Sequence, residues 1–298
     1  MTNRKTLFAI LVVCDIILIA AGAWWFWPRA AAEAIDFDGS RALAHAEAQM
    51  AFGPRPTGAE AHRQTGDYIL AELTARGWKT ETQEFVYRDA PARNIIGKAA
   101  IGRGPVIIIG AHYDTRRHAD RDSASPTAPT PGANDGASGV AVLLELARAL
   151  DTQDSRYEIW LAFFDAEDNG GIDGWEWIVG STHMAQTLTV RPEAVIIADM
   201  IGDADQQLFF ETNSDAALSA QLFQIAAALG YGEQFIPAPK YAILDDHAPF
   251  AQLGIPVVDL IDFDYPHWHT TADTLDKISA DSLERVGRVI ETFIEQNP

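Results

Sequence analysis

The sequence predicts an α/β fold: a three-layer sandwich with a mixed, largely parallel central sheet and helices on both faces, preceded by an N-terminal hydrophobic helix. Three observations carry this expectation. Four short, continuous apolar runs, "GPVIIIGAHYD", "YEIWLAFFD", "EAVIIADMIG" and "GIPVVDLID", lack the alternation of a half-exposed strand and read as strands buried on both faces. Stretches with helical apolar spacing separate them, which is the pattern of an α/β sheet. The chain has 298 residues, 48% hydrophobic and 21% charged, enough to bury one large core.

Taken in order, the N-terminus comes first. "MTNRK" places Arg4 and Lys5 before an apolar run of bilayer-spanning length, with Trp24, Trp25 and Trp27 at its far end. Residues 1–34 are therefore expected to form a signal-anchor and linker, with the domain outside the cytoplasm; the alternative is a cleaved signal peptide that leaves a secreted or periplasmic protein. Residues 35–298 are expected to form one catalytic domain. "SRALAHAEAQMAFG" and "AEAHRQTGDYILAELTARG" have helical spacing, and the second stops at Gly77. "WKTETQEFVY" alternates like a half-buried strand. After the first apolar strand, "RRHADRDSASPTAPTPGAND" reads as a loop. "GASGVAVLLELARAL", "GWEWIVGSTHMAQTL", "SDAALSAQLFQIAAALG" and "SADSLERVGRVIETFIEQ" are the remaining helix candidates.

Charge and cysteine content narrow the function. With Lys+Arg 22 against Asp+Glu 42 the net charge is −20, and such a surface repels nucleic-acid backbones. The single cysteine, Cys14, rules out an intrachain disulfide and a cysteine-built metal cluster. In an open α/β sheet, ligands bind outside the carboxyl ends of the strands. His112, Asp114, Asp165, Glu167, Asp168, Asp199, Asp259 and Asp262 all lie at or near such ends. Any one of them alone reads as a turn or capping residue. Gathered in one crevice, carboxylates repel one another unless a cation is present, and histidine among them points to zinc.

The successive motifs "GAHYDT", "PGANDGASGVAVLLELARAL", "FFDAED", "ADMIG", "DDHAPFAQLGIPV" and "WHTTADT" resemble, in order, those of the zinc aminopeptidase and glutaminyl cyclase superfamily, closest to bacterial glutaminyl-peptide cyclotransferases. The resemblance implies zinc ligation by Asp135, Asp168 and His269, with Glu167 as the general acid/base. It implies a second metal at His112 and Asp199 in the aminopeptidase reading, and one zinc in the cyclase reading. Asp245 in "DDH" and Trp268 before His269 look like the cyclase form, in which Asp199 and Asp245 orient the substrate and an aromatic wall, to which Trp175 or Trp177 adds, encloses a glutamine side chain. Asp259 departs from that form, because some cyclases have histidine there.

Peptide or protein N-termini are then the implied substrates, and membrane contact is expected through the N-terminal helix only. The expected oligomeric state is a monomer. A non-catalytic ectodomain is the reading from a different class, and it is disfavoured because every ligand position is filled. His45, His62, His118 and His183 read as surface residues, Asp165 as structural, and His247 and His267 as supports of the site.

Overall fold

The computed structural model describes residues 36–296. Helix α1 (Gly39–Ala51) begins where the Asp38 carboxylate accepts the backbone N–H groups of Ser40 and Arg41, satisfying donors that a helix start leaves unpaired. Helix α2 (Glu60–Ala75) precedes strands β1 (Lys79–Tyr87) and β2 (Ala90–Ala99). β3 (Val106–His112) leads through the loop at 113–136 to α3 (Ala137–Ala149), and β4 (Glu158–Phe164) leads to α4 (Val179–Thr187). β5 (Ala194–Asp199), β6 (Leu208–Glu211), α5 (Ala216–Ala228) and β7 (Phe235–Tyr241) follow. α6 (Ala248–Gln252), β8 (Val257–Ile261) and α7 (Ala280–Gln296) close the chain.

Six strands form one sheet in the order β1-β2-β4-β3-β5-β8. β3, β4, β5 and β8 run parallel, whereas β1 and β2 form an antiparallel hairpin that joins at β4. The fold is thus a mixed α/β fold with a mostly parallel central sheet. The four parallel strands are the four apolar runs of the sequence, and they are buried almost throughout. Their side chains alternate between two clusters. Ile107, Ile109, Leu161 and Ile196 pack with α1, α3, α5 and α7, while Ile108, Trp160, Ala162 and Ile197 pack with Met184 of α4 and Phe250 of α6.

Three elements differ from expectation. "GWEWIVGSTHMAQTL" is helical only from Val179, because Gly174 and Ile178 adopt left-handed φ values of 75° and 53° and hold the two tryptophans in a loop. The parallel pair β6-β7 was not apparent as strands: β7 carries Pro237 and Pro239 and is mostly exposed. β2 was likewise hidden, since only its centre is apolar. The membrane placement is corrected. The segment expected to anchor the protein, residues 1–34, lies outside the described residues, and among the described residues no helix is long and apolar enough to cross a membrane.

Candidate metal centre and cavity

The site forms at the carboxyl ends of the parallel strands, where β3 sits between β4 and β5 and the connections leave in different directions. His112 is the last residue of β3, and Asp199 is the last of β5. Asp165 to Asp168 follow β4 directly. Asp135 stands two residues before the first residue of α3, and a Cβ on the intervening Gly136 would lie 2.6 Å from the His112 carbonyl oxygen and 2.7 Å from its ring. Only glycine permits that approach. His269 arrives on the loop after β8 with a left-handed φ of 57°. Ala166 and Met200 are also left-handed, at 56° and 46°. Such conformations cost energy in non-glycine residues and persist where surrounding contacts enforce them. At Ala166 the kink separates Asp165, which turns into the protein behind the sheet end, from Glu167, which lines the cavity.

Two sets of buried ligand-type side chains share Asp135: His112, Asp135 and Asp199, and Asp135, Asp168 and His269. His112 Nε2 lies 3.2 Å from Asp135 Oδ1 and 3.1 Å from Asp199 Oδ1. His269 Nε2 lies 3.0 Å from Asp168 Oδ1 and 3.7 Å from Asp135 Oδ2. Asp135 Oδ2 and Asp168 Oδ2 are buried without a hydrogen-bond partner, which is costly for a carboxylate oxygen unless a cation takes it. One imidazole and two carboxylates suit zinc, leaving a position open as catalytic sites require. The residues therefore fit the ion.

A surrounding layer holds these side chains. Asp114 accepts the backbone N–H groups of Glu167 and Asp168 at 3.0 and 3.3 Å and lies 3.6 Å from His112 Nδ1. Asp273 accepts the N–H groups of Asn134 and Asp135 at 2.8 and 3.2 Å and the Tyr265 hydroxyl at 2.7 Å. Asp120 stands 3.4 Å from His269 Nδ1, the carboxylate support that a metal-binding imidazole usually has. Arg55, wholly buried, donates to the carbonyls of Pro131 and Gly132 just ahead of Asp135.

The cavity beside these side chains measures about 240 Å³ and is lined by Trp177, Ile243, Leu244, Phe263 and Trp268 together with Glu167, Asp199 and Asp245. Burial pushes the Glu167 carboxyl well above the ordinary carboxylate range, and Asp168, Asp245 and Asp246 add to this against the opposing pull of His112. Burial, then Asp199, raises Asp245 to about 7. Burial, then Asp135, raises Asp168 to about 6.

Of the residues singled out from the sequence, Asp135, Glu167, Asp168, Asp199, Asp245, Trp268 and His269 all line this cavity, and His112 stands behind it. Trp175 does not line it; Trp177 does, its ring parallel to that of His269 at 6.0 Å. Trp175 instead packs edge-on against Tyr87. Asp165 supports the fold, taking Thr57, Arg93 N–H and Tyr113 as donors, and Asp262 caps the N–H groups of Gln207 and Asp264. His247 is buried between Glu211 and Asp259.

The surface reading of His45 and His62 is overturned. His45 Nδ1 lies 2.6 Å from the Tyr68 hydroxyl, and His62 stacks on Tyr113 with Nε2 2.8 Å from Asp165. Sequence reasoning missed Asp273, Asp120 and Arg55 as supports, and the wall formed by Ile243 and Leu244. A signal existed only for Asp273, in "TTADT" directly after His269.

Residues 94–294 match the model of peptidase family M28, and the chain belongs to that family. It is 25% identical over 282 residues to a glutaminyl-peptide cyclotransferase-like protein of Mus musculus, covering 81% of this chain and 72% of that one. Among solved structures, glutaminyl cyclase of Porphyromonas gingivalis superimposes with a TM-score of 0.83 at 34% identity, covering 88% of this chain and 100% of the other. A leucine aminopeptidase precursor from Bacteroides thetaiotaomicron gives 0.84 at 31% identity, covering 89% and 99%.

Proposed function

We propose that the protein is a zinc-dependent glutaminyl-peptide cyclotransferase, converting the N-terminal glutamine of a peptide to pyroglutamate with release of ammonia. The observation that carries this reading is Glu167: a buried carboxyl with a raised affinity for protons, set in an aromatic-walled cavity against Asp135, Asp168 and His269. Zinc held by those three residues would supply Lewis-acid polarisation of the γ-amide carbonyl. The chain's own groups do the rest. Trp177, Trp268 and Phe263 enclose the apolar part of the glutamine side chain and exclude water that would otherwise compete with the amine. Asp199 and Asp245 accept hydrogen bonds from the α-amine and hold it facing the side-chain carboxamide carbon, Cδ. As the amine nitrogen bonds to that carbon, Glu167 takes one of its protons. It then returns the proton to the departing amide nitrogen, which leaves as ammonia when the C–N bond breaks. The carboxylate ends as it began, and no water is consumed.

One observation supports a second reading. His112, Asp135 and Asp199 form a further buried ligand set sharing Asp135, as a two-metal aminopeptidase would need, with Glu167 activating water for hydrolysis of the first peptide bond. Incubating the zinc-loaded enzyme with a Gln-initiated and a Leu-initiated peptide, followed by mass spectrometry, separates the two. Loss of ammonia from the Gln peptide alone supports the cyclase, and free leucine supports the aminopeptidase.

A further inference from the structure

A cation that the reaction does not use lies on Trp268, a wall residue of the cavity. The loop at 116–132 lays three arginines over three tryptophans: Arg116 at 4.8 Å from the Trp177 ring, Arg117 at 4.5 Å from Trp175 and Arg121 at 4.0 Å from Trp268. Two of them are committed elsewhere. Arg116 grips Asp120 at 2.8 and 2.6 Å and donates to the carbonyls of Asp168 and Gly170, and Arg117 donates to Asn169. Arg121 is exposed, and among the described residues its guanidinium has neither a hydrogen bond nor an ion pair.

The neighbouring carboxylates are already occupied. Asp120 belongs to Arg116, while Asp122 accepts the N–H groups of Ala124, Ser125 and Thr271 and the Thr271 hydroxyl. Lys240, next to the cavity-lining Tyr241, pairs with Asp264. An unpaired arginine is conspicuous in a chain of net charge −20. Its position is also fixed, because its own N–H donates to the His269 carbonyl at 3.3 Å and its guanidinium lies on Trp268, whose ring centre is 4.0 Å from that of His269. A guanidinium lying on an indole keeps its in-plane N–H fork free for a carboxylate. That fork stands one indole away from the reacting centre, within reach of a side chain on the substrate's second or third residue, since an extended chain advances about 3.3–3.6 Å per residue.

We propose that Arg121 is a specificity-determining residue that binds an acidic side chain of the substrate just beyond its reacting end, so that peptides beginning with glutamine followed by Asp or Glu are the preferred class. This inference rests on the cyclase reading for the identity of the first residue. The test compares the amidated peptides Gln-Glu-Ala and Gln-Lys-Ala with the zinc-loaded full chain, following ammonia release. The expected Glu-over-Lys ratio in kcat/KM at low salt is about tenfold, one exposed attraction gained and one comparable repulsion avoided, and it resides in KM. It should shrink as salt rises to 0.5 M, because an exposed pair is screened.

Arg121→Gln should reduce the ratio to about twofold or less, while Arg121→Lys, which keeps the charge but loses the planar fork, should give an intermediate ratio. Equal turnover of the two peptides by the wild type, or a preference that survives Arg121→Gln, overturns the role of Arg121 and leaves the cyclase reading intact. If no Gln peptide reacts but Leu-Glu-Ala and Leu-Lys-Ala are hydrolysed, the cyclase reading fails, and the same ratio measured on leucine release decides the role of Arg121. Inactivity towards all four peptides overturns both.

Discussion

Glu167→Gln isolates the proton-transfer role from the architecture around it. The Glu167 backbone N–H donates to Asp114 at 3.0 Å and its carbonyl accepts the Ile178 N–H at 3.1 Å; neither involves the side chain. Its carboxylate makes no hydrogen bond or ion pair among the described residues, so an amide of the same shape breaks none. Substitution also removes one of several mutually repelling carboxylates, Asp168, Asp245 and Asp246 being the others whose charges raise Glu167. Unfolding stability should therefore change by no more than about 1 kcal/mol, and zinc content should stay at the wild-type level.

Turnover is a different matter. A positioned acid/base accounts for about 10²–10⁴ in rate, or roughly 3–5 kcal/mol of barrier, and glutamine accepts no proton at neutral pH. Ammonia release from a Gln-initiated peptide at saturating zinc should fall by that factor, with KM nearly constant. Thermal unfolding and bound zinc are read on the same preparation. Activity within threefold of wild type would refute the role assigned to Glu167; loss of zinc together with activity would show instead that the residue holds the metal.

Other expectations follow from the same geometry. Asp168→Ala leaves only Asp135 and His269 of the three-ligand set, so zinc should dissociate on dialysis while the fold is retained; elemental analysis that finds full zinc would exclude Asp168 as a ligand. Arg55→Met removes the buried donors to Pro131 and Gly132 at 3.1 and 2.6 Å. Leaving the Pro131 carbonyl unpaired, and the Gly132 carbonyl with only the Ala137 N–H at 3.3 Å, should cost about 1–3 kcal/mol in urea unfolding, and a loss below about 0.5 kcal/mol would contradict the clamp. Asp262 is pushed up to about 7 by burial, so between the ordinary carboxylate value and that point the folded chain keeps a proton that the unfolded chain has lost. Stability from this group accordingly falls as pH rises through the window, by up to about 4 kcal/mol. Asp262→Asn should gain on the wild type between about pH 4 and pH 7, and parallel stability curves for the two proteins would remove Asp262 as the cause.

The sequence by itself determined the sheet and the positions of most of the site. Ile107 to Ile109, Ile159 to Phe163 and Val195 to Ile197 are apolar without interruption, because strands in the middle of such a sheet are covered on both sides, and in β8 only Asp259 breaks the run. Chemistry can then sit only where those runs stop, which is where Glu167, Asp168 and Asp199 were legible, whereas Asp135 and His269 were read from the resemblance to the family's motifs. β2, β6 and β7 were not, since an edge hairpin and a two-stranded pair owe their pairing to partners distant in the chain rather than to their own composition.

Tertiary structure alone decided which side chains surround the ligands. The choice of Trp177 over Trp175 turns on the left-handed residues Gly174 and Ile178, a backbone property that apolar spacing does not encode. His62 reads as a polar residue on an amphipathic helix until the fold brings Asp165 to it from 103 positions away. Arg121 lies in a loop whose composition suggests only exposure, and its place over Trp268 exists because the loops after the parallel strands β3 and β8 leave from the same carboxyl end of the sheet. Local sequence fixes the period of burial along each element; the contacts between loops depend on how the elements are stacked, and no stretch of the chain carries that information alone.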